Sequence, residues 1–124
     1  MEEAHTVIAI DGPSGAGKGT VARAVAAKLG YQYVDTGAMY RAVAWKASLE
    51  KVAFDDEAGL SKLTERVTFE FEDGRTFIDG DDVTEAIRTP EMDVAAAAVA
   101  KLPDVRRALV ARQRALGESG GLVM

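Results

Sequence analysis

Cysteine is absent from the 124 residues, and histidine occurs once, as His5. Without cysteine there is no disulfide framework and no thiolate metal site. His5 falls in the N-terminal tail, away from any other metal-ligating residue pattern, so no metal site built from protein side chains is expected. Positive charge is also scarce: 15 lysines and arginines stand against 20 acids, for a net charge of −5. That balance speaks against a nonspecific nucleic-acid binder, which needs a basic footprint. No apolar run is long enough to cross a bilayer, and the opening Met1-Glu2-Glu3 lacks the basic start of a secretory signal. A cytoplasmic protein without membrane contact is expected. Nothing points to a protein partner, so the expected state is a monomer.

What is present suits one modest domain with a core: 48% of residues are hydrophobic and 28% charged. The charge is uneven. Residues 55–93 carry 13 acids and 4 bases, whereas residues 94–124 carry 5 bases and 2 acids. The basic segment fits either a face for an anionic ligand or a solvated helix face, and the acidic one reads as soluble surface. Asp79, Asp81 and Asp82 lack the glycine and glutamate spacing of a calcium loop and read as a solvated turn.

The strongest signal lies near the start. Val7-Ile8-Ala9-Ile10 is a short apolar run, and Gly12-Pro13-Ser14-Gly15-Ala16-Gly17-Lys18-Gly19-Thr20 follows it. A buried strand, a glycine turn and a helix beginning near Lys18 make a phosphate-binding P-loop. Backbone N–H groups of the loop and the helix N-terminus converge on an anion there, and Lys18 adds a mobile positive charge. The ligand narrows to a nucleoside triphosphate or a close relative. One departure is informative: Gly19 occupies the place where a hydroxyl usually ligates magnesium, and Thr20 follows it. Thr20 then reaches a phosphate oxygen more naturally than the metal. Mg2+ would be held mainly through water and phosphates. Lys18-Gly19-Thr20 in this setting resembles the nucleoside monophosphate kinases more than GTPases or motor ATPases.

Along the chain, residues 21–29 are predicted to be helical, with Val21, Ala24, Val25, Lys28 and Leu29 on one stripe and Gly30 as the stop. Tyr31-Gln32-Tyr33-Val34 is a short strand, parallel to the first. A helix is expected over 38–50 with Met39, Ala42, Val43 and Leu49 facing the core, and another over 55–64. Val67-Thr68-Phe69-Glu70-Phe71 alternates, and Asp73-Gly74 and Thr76-Phe77-Ile78 follow, which predicts a β-hairpin. The alanine-rich residues 91–101 are helical, with the run 95–98 suited to close helix packing. Pro103 opens a last helix to about Leu116, with Val105, Ala108, Leu109 and Leu116 buried. Trp45 reads as core packing or a helix-face anchor. Leu122-Val123-Met124 begins another apolar run, and its abrupt end suggests a fragment.

A second constellation follows the second strand: Asp35-Thr36-Gly37-Ala38-Met39-Tyr40-Arg41. Asp35 sits at the carboxyl end of a parallel strand, the edge where α/β proteins bind ligands. Thr36 can cap the coming helix, Gly37 permits close backbone approach, and Arg41 can pair bidentately with a phosphate. Spacing alone favours a capped helix with a solvated arginine, since lone arginines are mostly solvated.

Residues 12–20 together with residues 35–41 closely resemble the bacterial cytidylate kinases. So do the inserted hairpin, Ile87-Arg88-Thr89-Pro90, and Leu102-Pro103-Asp104-Val105-Arg106 leading to Arg112-Gln113-Arg114. The likeness runs over essentially the whole chain. It implies an α/β fold: a P-loop nucleoside monophosphate kinase-like parallel sheet with flanking helices. Residues 1–124 would form a single, incomplete domain, with residues 55–93 as an inserted subdomain on the monophosphate-binding side. It also implies transfer of the terminal phosphoryl group of ATP to CMP or dCMP, with Mg2+. By the same resemblance residues 12–20 hold ATP phosphates. Thr36, Gly37 and Arg41 meet the acceptor, Arg106 holds its phosphate, and Asp35 orients the site. Lys18, Arg41 and Arg106 are the expected catalytic set.

Two departures stand out. Many members have a serine where this chain has Ala97, and the family continues past residues 122–124 into base-reading and lid segments rich in arginine. The 124 residues alone are therefore expected to be inactive or weak. Two alternatives are another small-molecule P-loop kinase, of shikimate or gluconate type, and a non-catalytic nucleotide-binding module.

Overall fold

The computed structural model describes residues 7–8, 18–29, 32–72, 74–117 and 122–123. In chain order the elements are β1 (Val7–Ile8), α1 (Lys18–Leu29), β2 (Gln32–Tyr33), α2 (Thr36–Leu49) and α3 (Glu57–Arg66). Then come β3 (Phe69–Glu72), β4 (Arg75–Ile78), β5 (Asp81–Asp82), α4 (Pro90–Ala100), α5 (Pro103–Gly117) and β6 (Leu122–Val123). The protein is a mixed α/β molecule with two compact units, Met1–Asp35 with Gln113–Met124, and Thr36–Arg112. Among the described residues no helix is long and apolar enough to cross a membrane.

The first unit holds a parallel sheet of order β1-β6-β2. Leu122 is in register with Val7 on one side and Gln32 on the other. The two N-terminal strands are thus parallel, as expected, but they are not neighbours, because β6 lies between them. Helix α1 packs on β2 and β6. Its buried face differs from the predicted stripe: Ala26 is buried, whereas Ala24, Lys28 and Leu29 are exposed. Among the described side chains of the helix, the small Ala26 is the buried one, Val25 is half-buried and Leu29 faces outward. Residues 9–17 and Tyr31 lie outside the described residues.

The second unit is built around α2, which packs on α4, α3 and β4. Ala38, Ala42, Ala44 and Ala47 on α2 and Ala95, Ala96 and Val99 on α4 are buried. Small side chains let two helices approach closely, and dense packing of this kind is where core dispersion energy comes from. Met39 and Val43 extend the buried face as expected. Leu49 does not; it is 60% exposed. The reason is that α2 ends at this residue. Val52 N–H donates to the Ala47 carbonyl and Lys51 N–H to the Ser48 carbonyl, with Lys51 at φ 59°. This is a Schellman-type end that turns the chain away from the core face. Trp45 is half-buried.

Asp56 caps α3, its carboxylate accepting from Gly59 N–H at 3.0 Å. A Cβ at Gly59 would lie 2.4 Å from Asp56 Oδ2, so only glycine admits the cap in this form. Leu60 and Leu63 face inward. The predicted hairpin is a three-stranded antiparallel sheet, β3-β4-β5. Glu72 pairs with Arg75 across the turn that holds Gly74. The extra strand β5 returns through Asp79-Gly80, both at positive φ (51° and 83°), the backbone signature of a type I′ hairpin turn. Asp79 adds its own lock, Oδ1 accepting from Thr68 N–H at 3.0 Å.

Helix α4 begins at Pro90, with Thr89 Oγ1 accepting from Met92 N–H at 3.2 Å. The Thr-Pro pair is a cap and first turn, as the preferences for those residues dictate. In α5, Pro103 stands first, and Val105, Ala108 and Leu109 are buried while Leu116 is half-buried. Asp104 N–H donates to Glu57 Oε2 at 2.9 Å, so a side chain from α3 satisfies the opening turn of α5.

Candidate functional site

Of the expected phosphate loop, Gly12, Pro13, Ser14, Gly15, Ala16 and Gly17 lie outside the described residues, as do the side chains of Lys18 and Thr20. What is described is the backbone that positions them. Lys18, Gly19 and Thr20 form the first turn of the 12-residue helix α1. No acid occupies that turn. Within the helix itself, then, no first-turn carboxylate offsets the positive end that would face a phosphate.

The second set of expected residues lies at the start of α2. Asp35 precedes the helix and is half-buried, as are Thr36 and Gly37. The helix begins two residues earlier than the sequence predicts, so Thr36 is its first residue and not a cap preceding it. Ala38 and Met39 are buried, which anchors the opening turn and leaves Tyr40 and Arg41 half-buried beside it.

Arg41 Nε donates to Asp93 Oδ1 at 2.9 Å, and the side chains are 37% and 62% exposed. Arg106, on the first turns of α5, donates from Nη1 to the Ala100 carbonyl at 3.5 Å. It also stands near Tyr40: burial pushes the Tyr40 phenol above its ordinary value, and the Arg106 charge pulls it part-way back. Two expected arginines from distant segments thus contact α4, Arg41 from α2 in its first turn and Arg106 from α5 at its last residue. Lys18 belongs to the other compact unit.

Asp93 and Tyr40 carry no local signal that would have marked them. Asp93 reads in sequence as an acid favouring a helix N-terminus, and its pairing with a residue of α2 comes only from helix packing. Ala97 is exposed.

Several of the charges around the antiparallel sheet pair with one another. Arg75 bonds Asp82 through Nε at 2.5 Å and Glu85 through Nη2 at 2.7 Å. Asp82 also accepts from the Thr84 hydroxyl and N–H. The Arg75 and Thr84 bonds hold the Asp82 carboxyl down at about 2. Lys46 Nζ reaches Asp79 at 3.3 Å, and Glu50 meets Arg66. For Asp79, burial pushes upward, but hydrogen bonds from Thr68 and Lys46 leave the carboxyl below its ordinary value. Asp79, Asp81 and Asp82 form turn and sheet contacts, and among the described residues no group of three or more His, Cys, Asp or Glu is placed to hold a metal.

A model of the cytidylate kinase family matches residues 8–124. This chain belongs to the cytidylate kinase family. It is 51% identical over 121 residues to a cytidylate kinase of Geobacillus sp. (strain WCH70), covering 94% of this chain and 54% of the relative. It is 50% identical over 122 residues to a cytidylate kinase of Pelotomaculum thermopropionicum, with the same two coverages. A bifunctional pantoate ligase/cytidylate kinase of Gloeobacter violaceus is 45% identical over 129 residues, covering 98% of this chain and 25% of that protein. The chain spans about half the length of the single-function relatives it matches.

Proposed function

We propose that this chain carries the donor and acceptor phosphate sites of a kinase that transfers the γ-phosphoryl group of ATP to CMP or dCMP, giving CDP or dCDP. The observation that carries the reading is the family match across residues 8–124, which takes in both the P-loop motif and residues 35–41. In this reading residues 1–124 are a single, incomplete P-loop kinase domain of the nucleoside monophosphate kinase type. Residues 55–93 are an inserted subdomain on the acceptor side. The protein works as a cytoplasmic monomer.

Phosphoryl transfer needs positioning and charge neutralisation more than covalent help. Backbone N–H groups of residues 12–20 cradle the ATP phosphates, and Lys18 follows the charge as it moves to the leaving oxygen. Arg41 and Arg106 neutralise the acceptor phosphate, so that two anions can approach. Thr36 and Gly37 contact the acceptor, and Asp35 orients that site. An acceptor phosphate oxygen forms the new bond to the γ-phosphorus as the bond to the bridging oxygen of ADP breaks. No strong general base is required. The acid-free first turn of α1 suits a polyphosphate, and the described residues supply no carboxylate cluster for a cation. Magnesium, held by water and substrate phosphates, would supply charge neutralisation on the donor.

The test is a coupled phosphoryl-transfer assay with ATP, Mg2+ and CMP, with UMP, AMP and shikimate as control acceptors. It is run on the 124-residue chain and on the chain with any continuation its gene encodes. CMP-dependent ADP formation is expected, stronger in a longer form. Preference for shikimate, or no preference among acceptors, overturns the reading.

A further inference from the structure

Both candidate acceptor arginines are held by the same helix. Arg41 donates to Asp93 in the first turn of α4, and Arg106 to the carbonyl of Ala100, the last residue of α4. These two contacts are seven residues apart, about 10 Å along a helix rising 1.5 Å per residue. The Arg106 contact is an ordinary one, a cation on the last carbonyls of a helix. The Arg41 contact is different, because its partner is a carboxylate of the same charge sign as a phosphate.

The backbone of Asp93 is fixed by the helix. Its N–H donates to the Thr89 carbonyl at 3.1 Å, within the capped first turn. The α2–α4 packing of buried alanines sets its distance from Arg41. The pair is open to solvent, at 37% and 62% side-chain exposure, so an arriving phosphate can reach it. Ion pairs this exposed are individually weak. The contact uses Arg41 Nε, and so occupies one edge of the guanidinium that a bidentate phosphate would take. A phosphate dianion set beside the Asp93 carboxylate would also be repelled.

We propose that Asp93 is a competing anion that holds Arg41 in the ligand-free protein and must release it when the phosphate of CMP binds. The proposal rests on the reading of Arg41 as an acceptor-phosphate residue. Asp93 then sets acceptor affinity by opposing it, as a positioning residue acting through Arg41.

The test measures CMP affinity by calorimetry and the KM for CMP and for ATP, in the same protein forms as the assay above. The variants are Asp93→Asn, Asp93→Ser, Glu91→Gln, Arg41→Gln and the Arg41→Gln/Asp93→Asn double. Releasing a competitor of exposed-pair strength is expected to tighten CMP binding about two- to five-fold in both Asp93 variants. KM for ATP should not move. Glu91→Gln removes another first-turn acid of α4 without touching Arg41, and should leave CMP affinity unchanged. Arg41→Gln should weaken CMP binding by about ten-fold or more, and in that background the gain from Asp93→Asn should vanish. Weaker or unchanged binding in the Asp93 variants, or a gain that persists without Arg41, overturns the proposal alone. Unchanged CMP binding in Arg41→Gln, or none in the wild type, overturns the acceptor reading and this proposal with it.

Discussion

The parallel sheet β1-β6-β2 and the antiparallel sheet β3-β4-β5 each have three strands, yet they are specified in different ways. In the antiparallel sheet every strand pairs with a neighbour in sequence, and each turn carries its own instruction, Gly74 at φ 75° and Asp79-Gly80 at positive φ. In the parallel sheet, Leu122 joins both Val7 and Gln32, segments that meet only through the folded chain. The difference also divides the roles. The antiparallel sheet ties its charges to one another, Arg75 with Asp82 and Glu85. The helix that opens after β1 leaves its first turn free of acids, as an anion site requires. Local turn chemistry therefore builds the self-satisfied part, and long-range assembly builds the part proposed to handle phosphate.

The sharpest way to break this division is at Lys18. Lys18→Ala should lower CMP-dependent ADP formation by on the order of 10²–10³, the scale for losing one aimed positive group. The thermal midpoint should stay put; a large drop in it would make Lys18 structural. Next is Ala42, fully buried on α2, which packs on α4, α3 and β4. Ala42→Leu should cost about 1–3 kcal/mol in urea unfolding, because a close-packed contact has no room for the added carbons. Amide exchange should show that opening reaches the antiparallel sheet, since α2 also packs on β4.

A smaller effect is expected at the turn. Gly80→Ala places a Cβ at φ 83° with open space around it. The loss should be about 1–2 kcal/mol, from backbone conformation alone. Gly80→Asn should recover part of it, because Asn tolerates this region better. A neutral Gly80→Ala would show that the turn does not direct the sheet.

The smallest effect is a pH dependence. Asp82 falls from 3.8 to about 2 in the folded protein through bonds from Arg75 and Thr84. Glu85 is lowered by Arg75, and Asp79 is also lowered. A carboxylate with a depressed folded value stabilises the fold above its unfolded value, and the contribution fades as pH falls through the folded one. For Asp82 that window runs from about pH 4 down to about pH 2. Asp82→Asn should flatten the fall of the thermal midpoint across that window and lower the midpoint slightly near neutrality. An unchanged slope would remove Asp82 from the account.

Much of this was legible because it depends on a few adjacent residues. Pro103 at the start of α5 and Asp73-Gly74 between two strand-like runs announce their elements through first-turn and turn chemistry. The caps Asp56 and Thr89 and the turn at Asp79-Gly80 emerge only with the structure. The strand β5 was missed because Asp81-Asp82 has no apolar alternation and is held by its turn and by Arg75. In the candidate site, residues 12–20 and Arg41 were visible as motifs. Asp93 was not, because nothing near it in sequence reports a partner 52 positions away.

By itself, then, the sequence determined the phosphate-loop pattern, the type and order of most elements, the proline that opens α5 and the Asp73-Gly74 turn. These follow from backbone preferences and hydrogen bonds that act over a few positions. Only the tertiary structure decided that β6 lies between β1 and β2, that α1 buries Ala26 and turns Leu29 outward, that Leu49 is exposed, and that Arg41 rests on Asp93. Each of those depends on which distant surfaces pack together, and close packing selects among faces that local preferences leave equivalent.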